Sequence, residues 1–341
     1  MIDAEVRRIL ERASEGRAPS RKECVTLLEQ SAASPEASCT IATADALSRR
    51  RFGNAGVIGG QIGIEIAPCA GNCGMCVFGA EFTTLPASRL SLDDILFRAR
   101  QFVEGGRLER LYLMTMHHFD FDWLLDVVAA VRREVGAGVS LVANIGDFDL
   151  PQARLLGSAG FDGIYHVCRL REGVDSRLDP VRRRGTMQAA REAGLDLLTC
   201  CEPIGPEHTA QEIVDQMFIG IELGCSAHAA MRRIAVPGTP LAARGQISQR
   251  RLAQAVAVVC LANLENSNLR DIGVHEPNVV GLCGGANSVC AESGANPRDT
   301  QLETEEGLGL TVWDCCDLLG EAGYDQIKRF DGRVEPLSAD G

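Results

Sequence analysis

The sequence predicts a (β/α)8 barrel of the TIM type, preceded by a helical lead-in and followed by a C-terminal extension. Three observations carry this. From about residue 56 onward, apolar runs of strand length take turns with amphipathic helical stretches, the pattern of βα units around a parallel sheet. Some seven or eight such units follow one another. Composition does not break between them, which favours a closed barrel over an open sheet. The expected division is 1–55 for the lead-in, 56–300 for the barrel and 301–341 for an extension over or beside it.

The lead-in reads as helices over Ile2 to Ala13, over Ser20 to Gln30 behind a serine cap, and over Thr43 to Arg51. GQIGIEIAPC, with Ile62, Ile64 and Ile66 alternating, is the first strand. SLDDILFRARQFVEGG is then a capped helix leading into LYLMTM, and FDWLLDVVAAVRREVG is a helix leading into VSLVANIG. DLPQARLLGSAG precedes FDGIYHVC, RRGTMQAAREAG precedes LDLLTCCEPIG, and TAQEIVDQMFIGIELG precedes AAMRRIAVPG. SQRRLAQAVAVVCLAN precedes NLRDIGVH, and VVGLCGGANSVC supplies the last pair. Chemistry in such a barrel sits on the loops after the C-terminal strand ends. Cys69, His117, Asp147, His166, Cys200, Cys201 and His275 all follow predicted strands.

Hydrophobic residues make up 45% of the chain, enough for a well-filled core. A net charge of -12 argues against nucleic acid, because no excess of Lys and Arg is present to neutralise phosphates. The basic cluster at Ser48-Arg49-Arg50 is too brief for that role and reads as a solvated helix end. No apolar run is long enough to span a membrane. MIDAEVRRILERASEG is charged and amphipathic, without a signal-peptide core, so a cytoplasmic location is expected. In that reducing compartment 14 cysteines point to metal, redox or thiophilic chemistry rather than disulfides, with several as small buried hydrophobes.

CAGNCGMC, residues 69–76, concentrates three thiols as C-x3-C-x2-C. Structural zinc wants four ligands, usually as two pairs, and no partner pair lies within the next 90 residues. An iron-sulfur cube with one iron free of protein ligands accounts for three. Gly71 and Gly74 are expected to let the loop wrap tightly.

Cys69, Cys73 and Cys76, just after the first strand, resemble the signature of the radical S-adenosylmethionine (radical SAM) superfamily. That resemblance implies a [4Fe-4S] cluster whose fourth ligand is SAM. The reduced cluster passes an electron to the sulfonium, and a C–S bond breaks to give a carbon radical. Met75, Val77 and Phe78 would pack around it, and a donor such as flavodoxin or ferredoxin and a small-molecule substrate are implied as partners.

AAREAGLDLL, VPGTPLA (236–242) and GGANSV (284–289), in that order, resemble the biotin-synthase-like branch. Biotin synthase ligates a second, sulfur-donating cluster with strand cysteines and an arginine. Leu113, Val142 and His275 stand near three of those places here, and only Thr199-Cys200-Cys201 offers thiols. Biotin formation is therefore disfavoured. By the same resemblance Thr115 and His117, in TMHHFD, stand where backbone groups meet the methionine amine. Arg169, Arg171 and Glu172, in HVCRLREG, stand where carboxylate and ribose are held. A surface ion-pair cluster is the competing reading of these three.

Cys201, Cys316 and His275 are the expected catalytic residues. Adjacent strand residues face opposite ways, so one of Cys200 and Cys201 is expected in the lumen, while Cys315-Cys316 is expected to fold over the mouth. These thiols would form a second metal or cluster site, or a pocket for a thiophilic acceptor such as arsenite, or else are buried. Cys168, Cys225 and Cys260 read as buried, and Cys283 and Cys290 flank GGANSV. His117, His118 and His166 are expected near the mouth, with His208 as a helix cap. The expected function is a radical SAM enzyme that forms a bond at an unactivated carbon or soft heteroatom. Sulfur insertion, 3-amino-3-carboxypropyl transfer, a non-catalytic iron-sulfur scaffold and, more remotely, a zinc hydrolase are the alternatives.

Overall fold

Eight parallel strands close on themselves in a computed structural model that describes residues 2–337. They are β1 Ala55–Gly63, β2 Arg110–Met114, β3 Ser140–Asn144, β4 Gly163–Tyr165, β5 Asp196–Ile204, β6 Ala227–Arg232, β7 Asp271–His275 and β8 Ser288–Gly294. Each pairs with the next, and β8 returns to β1 from Val57 beside Ser288 to Gly63 beside Gly294. The expected TIM-type barrel is complete.

Helices α1 Ala4–Ser14, α2 Arg21–Glu29 and α3 Pro35–Phe52 form the lead-in. In the outer ring follow α4 Leu92–Val103, α5 Phe121–Val135, α6 Leu150–Ala159, α7 Pro180–Glu192, α8 Ala210–Glu222 and α9 Gln249–Ala262. The short α10 Val279–Leu282 and α11 Val312–Glu321 complete it. Their starts are written locally. Ser20 with Glu23, Asp149 with Gln152, Thr209 with Glu212 and Thr311 with Asp314 form reciprocal capping boxes, satisfying backbone donors that a helix start leaves free. The third helix begins eight residues before the expected Thr43, because Ser34 caps it and Pro35 occupies its first position. In the lead-in, α3 lies along α9 and α2 against α8 and α9.

Strand alternation divides the interior into two layers. Ile58, Leu111, Leu113, Leu141, Ile164, Leu197, Ala230, Ile272 and Ala291 point outward into one continuous core beneath the helices. Val142, Leu198 and Ala227 point inward and pack with Tyr112 and Tyr165. The first strand starts at Ala55, earlier than expected, since its glycines mask the apolar pattern. Gly60 is one that packing requires: a Cβ there would lie 2.7 Å from the ring of Phe102.

At the N-terminal strand ends, Arg110 lies buried between Glu109 and Asp271. Asn287, within GGANSV, donates to Ala55 O at 3.0 Å and accepts from Ile272 N at 2.9 Å, pinning β1, β7 and β8 at that end. The C-terminal segment sits beside the barrel rather than over its mouth. Helix α11 packs on β1 and β8, and Gln326–Lys328 adds a parallel strand at Ala55–Gly56, the end of β1 remote from the cysteine loop. Among the described residues, no helix is long and apolar enough to cross a membrane.

Candidate active site at the C-terminal strand ends

The CAGNCGMC loop leaves β1 and is tied down on three sides. Gly74 N donates to Asp175 O at 2.8 Å, Leu241 N donates to Gly74 O at 2.9 Å, and Val77 N donates to Pro297 O at 3.0 Å. The loops after β4, β6 and β8 therefore all brace it, and the VPGTPLA segment supplies Leu241. Gly71 and Gly74 serve close packing rather than unusual backbone angles. A Cβ on Gly74 would lie 2.9 Å from Leu241, and the left-handed turn falls instead on Asn72, at φ 42°.

All three thiols line one cavity with an empty volume of about 1350 Å³, its open mouth included. Met75, Phe78, Met114, Met116 and Leu178 supply apolar wall, while Gln61, Tyr112, Asn144, Tyr165 and Glu202 project from the strands. Burial pushes the Cys73 thiol up to about 11, against the opposing pull of Arg169, and pushes Cys76 higher still.

Two guanidinium groups share this wall. Arg183, from the first turn of α7, donates to Val167 O and to Asp147 Oδ1, each at 3.0 Å. His166 Nε2 lies 3.0 Å from the same carboxylate oxygen. Burial alone would raise the Asp147 carboxyl, but the His166 hydrogen bond and the Arg183 charge hold it well below the usual range. Arg169 stands 3.1 Å from Glu202 through Nε, yet off the hydrogen-bonding axis, so this buried donor has no hydrogen-bond partner among the described residues. Burial lowers His117 to about 4 and His166 to about 3, keeping both imidazoles neutral.

Deeper in the lumen, Tyr165 OH donates to Glu202 Oε2 at 2.5 Å and lies 3.5 Å from His275 Nδ1. Burial lowers His275 to about 4, with Glu202 opposing. On the facing wall Arg298 binds both oxygens of Glu292, at 2.6 and 2.8 Å, and also pairs with Glu276.

Of the residues singled out by sequence, Cys69, Cys73, Cys76, Thr115, His117, Arg169 and His275 line this cavity. Four do not, and each has a physical reason. Cys201 points outward, its thiol 3.6 Å from Ile213 O of α8, so the lumen-facing member of the pair is Cys200. Cys316 lies on the buried face of α11 on the barrel flank, away from the mouth because that helix completes the outer ring. Arg171 turns away to Glu212, at 2.8 Å. The Glu172 carboxylate is engaged by Arg169 N at 3.0 Å and Ser176 Oγ at 2.5 Å, tying off its own turn. Leu113 likewise faces out, leaving Tyr112 and Met114 to the lumen. Sequence reasoning passed over Arg183, Tyr165, Glu202 and the lumen-facing Cys290 as site residues.

No family model matches the chain. Biotin synthase of Saccharopolyspora erythraea is 26% identical over 229 residues, 64% of this chain and 63% of that protein. Biotin synthase 2 of Corynebacterium diphtheriae is 25% identical over 300 residues, 83% of this chain and 86% of that one. The chain is similar in sequence to biotin synthases, at about a quarter identity. The first curated relatives match it over only 63% and 60% of their own length. Solved structures share its fold. Methylornithine synthase gives a TM-score of 0.73 at 17% identity, over 86% of this chain and 88% of that one. The FeFe-hydrogenase maturase HydG from Carboxydothermus hydrogenoformans gives 0.76 at 16% identity, over 94% and 79%.

Proposed function

We propose that this chain is a radical SAM enzyme that holds a [4Fe-4S] cluster on Cys69, Cys73 and Cys76, cleaves SAM reductively and forms a bond at an unactivated carbon or soft heteroatom of a small biosynthetic substrate. The observation that carries the reading is the placement of three thiols and two guanidinium groups, Arg169 and Arg183, on the wall of one cavity. Three thiolates are the ligands of a cluster with one open iron. The buried Arg169 Nε without a hydrogen bond is an unspent donor for an anionic group. Bound there, the cluster and SAM supply a carbon radical by reductive cleavage of a C–S bond.

The remaining work falls to side chains. Met75, Phe78 and Met116 keep water from the thiols. Arg183, fixed by Asp147, and Arg169, fixed by Glu202, suit the methionine carboxylate, since a guanidinium forms charge-assisted bonds to carboxylates. His117, neutral at physiological pH, adds no competing charge.

Hydrogen abstraction is favoured over aminocarboxypropyl transfer to arsenite, because the lumen thiols, Cys200 and Cys290, stand on separate strands rather than as a cluster. The same scarcity disfavours a sulfur-donating second cluster. A flavodoxin or ferredoxin as donor and a cytoplasmic location complete the reading.

The test is anaerobic reconstitution, iron counting and identification of the nucleoside released on reduction with SAM. Deoxyadenosine with about four irons per chain is expected. Methylthioadenosine would move the assignment to aminocarboxypropyl transfer, and about eight irons would restore a second cluster. Neither nucleoside, with no spectral response to SAM, refutes the enzyme.

A further inference from the structure

We propose a mononuclear divalent-metal site at Cys200, Glu202 and His275, suited to Zn2+ or Fe2+. One donor atom from each residue lies within 4.8 Å of the others. Cys200 and Glu202 are alternate residues of β5 and so share its inward face, and His275 ends β7, two strands away. A tetrahedral ion with bonds of about 2.0–2.3 Å holds its donors roughly 3.3–3.8 Å apart. Side-chain shifts of about 1 Å therefore close the present triangle.

The donor chemistry narrows the ion. One sulfur, one imidazole nitrogen and one carboxylate oxygen suit a borderline cation rather than Mg2+ or Ca2+, which take oxygen alone. A single thiol excludes an iron-sulfur cluster held by cysteines at this place. The surroundings resemble the supporting shell of a metal centre. Tyr165 OH bonds Glu202 at 2.5 Å and reaches His275 at 3.5 Å, while Arg169 steadies the other Glu202 oxygen at 3.1 Å. Such contacts fix ligand orientation.

Three ligands with a free fourth position are the format of an open, substrate-binding metal. Glu202 and His275 both line the cavity, with Cys200 packed behind them against Met231 and Tyr165. The fourth position thus faces the substrate space. A substrate would bind there through a lone pair, from a carbonyl oxygen or a neutral amine. A second trio, Asp175, Glu207 and His208, also lies within 4.8 Å, but none of its residues lines the cavity, and His208 Nδ1 already accepts from Gly205 N. The lumen trio stands independently of the cluster assignment.

The test separates the two. The full-length C69S/C73S/C76S variant, unable to hold the cluster, is titrated anaerobically with Co2+. About one equivalent is expected to bind tetrahedrally, with thiolate-to-cobalt charge-transfer absorption. Adding C200S should abolish that absorption, and adding H275Q or E202Q should weaken binding by about tenfold or more. No cobalt bound, or charge transfer that survives C200S, overturns the site. Should the triple variant fail to fold, cluster-loaded wild type and C200S, each incubated with one equivalent of Zn2+ and desalted, are compared for zinc by elemental analysis. Loss of the zinc in C200S supports the site, and no zinc in wild type, or equal zinc in both, overturns it. Neither result bears on SAM cleavage, which the nucleoside assay reads separately.

Discussion

Replacing Asp147 with alanine should cost the protein about 3 kcal/mol, because it strands a buried positive charge. Asp147 and Arg183 have side chains only 3% and 5% exposed, and their contact is 3.0 Å. Removing one partner of a buried pair typically costs about 3–5 kcal/mol. Two features place this case at the lower end. Arg183 keeps its bond to Val167 O, and Glu172 stands 3.7 Å away as a partial substitute. The assay is anaerobic urea unfolding followed by circular dichroism, run on D147A, R183M and D147A/R183M. Since the second change removes the stranded charge, the double variant should recover about 2 kcal/mol relative to additivity, as expected for residues in contact. The sign with pH is fixed too. The folded-state pKa of Asp147 is depressed, so its contribution is present above the unfolded value of about 3.9 and is lost as pH falls through the acid range. The gap between wild type and D147A should therefore close in acid. Strict additivity, or a loss below about 1 kcal/mol, would refute the argument that this carboxylate compensates the guanidinium.

Three further expectations follow from other contacts. A Cβ on Gly146 would lie 1.8 Å from His117 O, so G146A must push the loops after β2 and β3 away from each other; a loss of about 1–3 kcal/mol and weaker SAM binding by calorimetry are expected, and unchanged values for both would contradict that close approach. His228 is buried against Asn263 and lowered to about 4, so its contribution is full above pH 6.5 and lost toward pH 4; H228Q should flatten that acid limb by about 3 kcal/mol, and an unaltered slope in urea titrations at both ends would reject it. Raised thiol pKa values at Cys73 and Cys76 mean that cluster ligation must release protons; reconstitution followed by absorbance should quicken from pH 7 to 9 by about tenfold or more, and a flat profile would count against buried thiols as the ligands.

The barrel was legible because strands and helices carry different hydrophobic periods, and because caps such as Ser91, Asp120 and Thr209 mark each helix start. The cysteine loop was legible as a local spacing. What the sequence concealed was phase. Cys200 and Cys201 are chemically alike, and one residue of register decides which meets the lumen and which meets Ile213. Arg171 follows its strand closely and turns aside, whereas Arg183 lies inside a helix, where no spacing rule shows that α7 leans it back over the cavity. The pairs Arg169–Glu202 and Arg298–Glu292 were hidden for a related reason, since their partners lie on separate elements and meet only once the barrel closes.

Closure between β1 and β8 also sets an order of events during biosynthesis. The cysteines leave the ribosome early, but the loop that carries them rests on Leu241 and, through Val77, on Pro297, near the far end of the chain. Strand β1 itself has its longest partnership with β8, the last barrel strand to be made. A nascent chain therefore exposes three thiols without the walls that later shield them, and contacts so distant in sequence form slowly. Iron and sulfide delivered to the growing polypeptide would meet an unformed loop. A cluster held on these thiols would meet its finished cradle only after translation has passed residue 297 and the ring has joined, so completion of the fold would be the checkpoint for loading it.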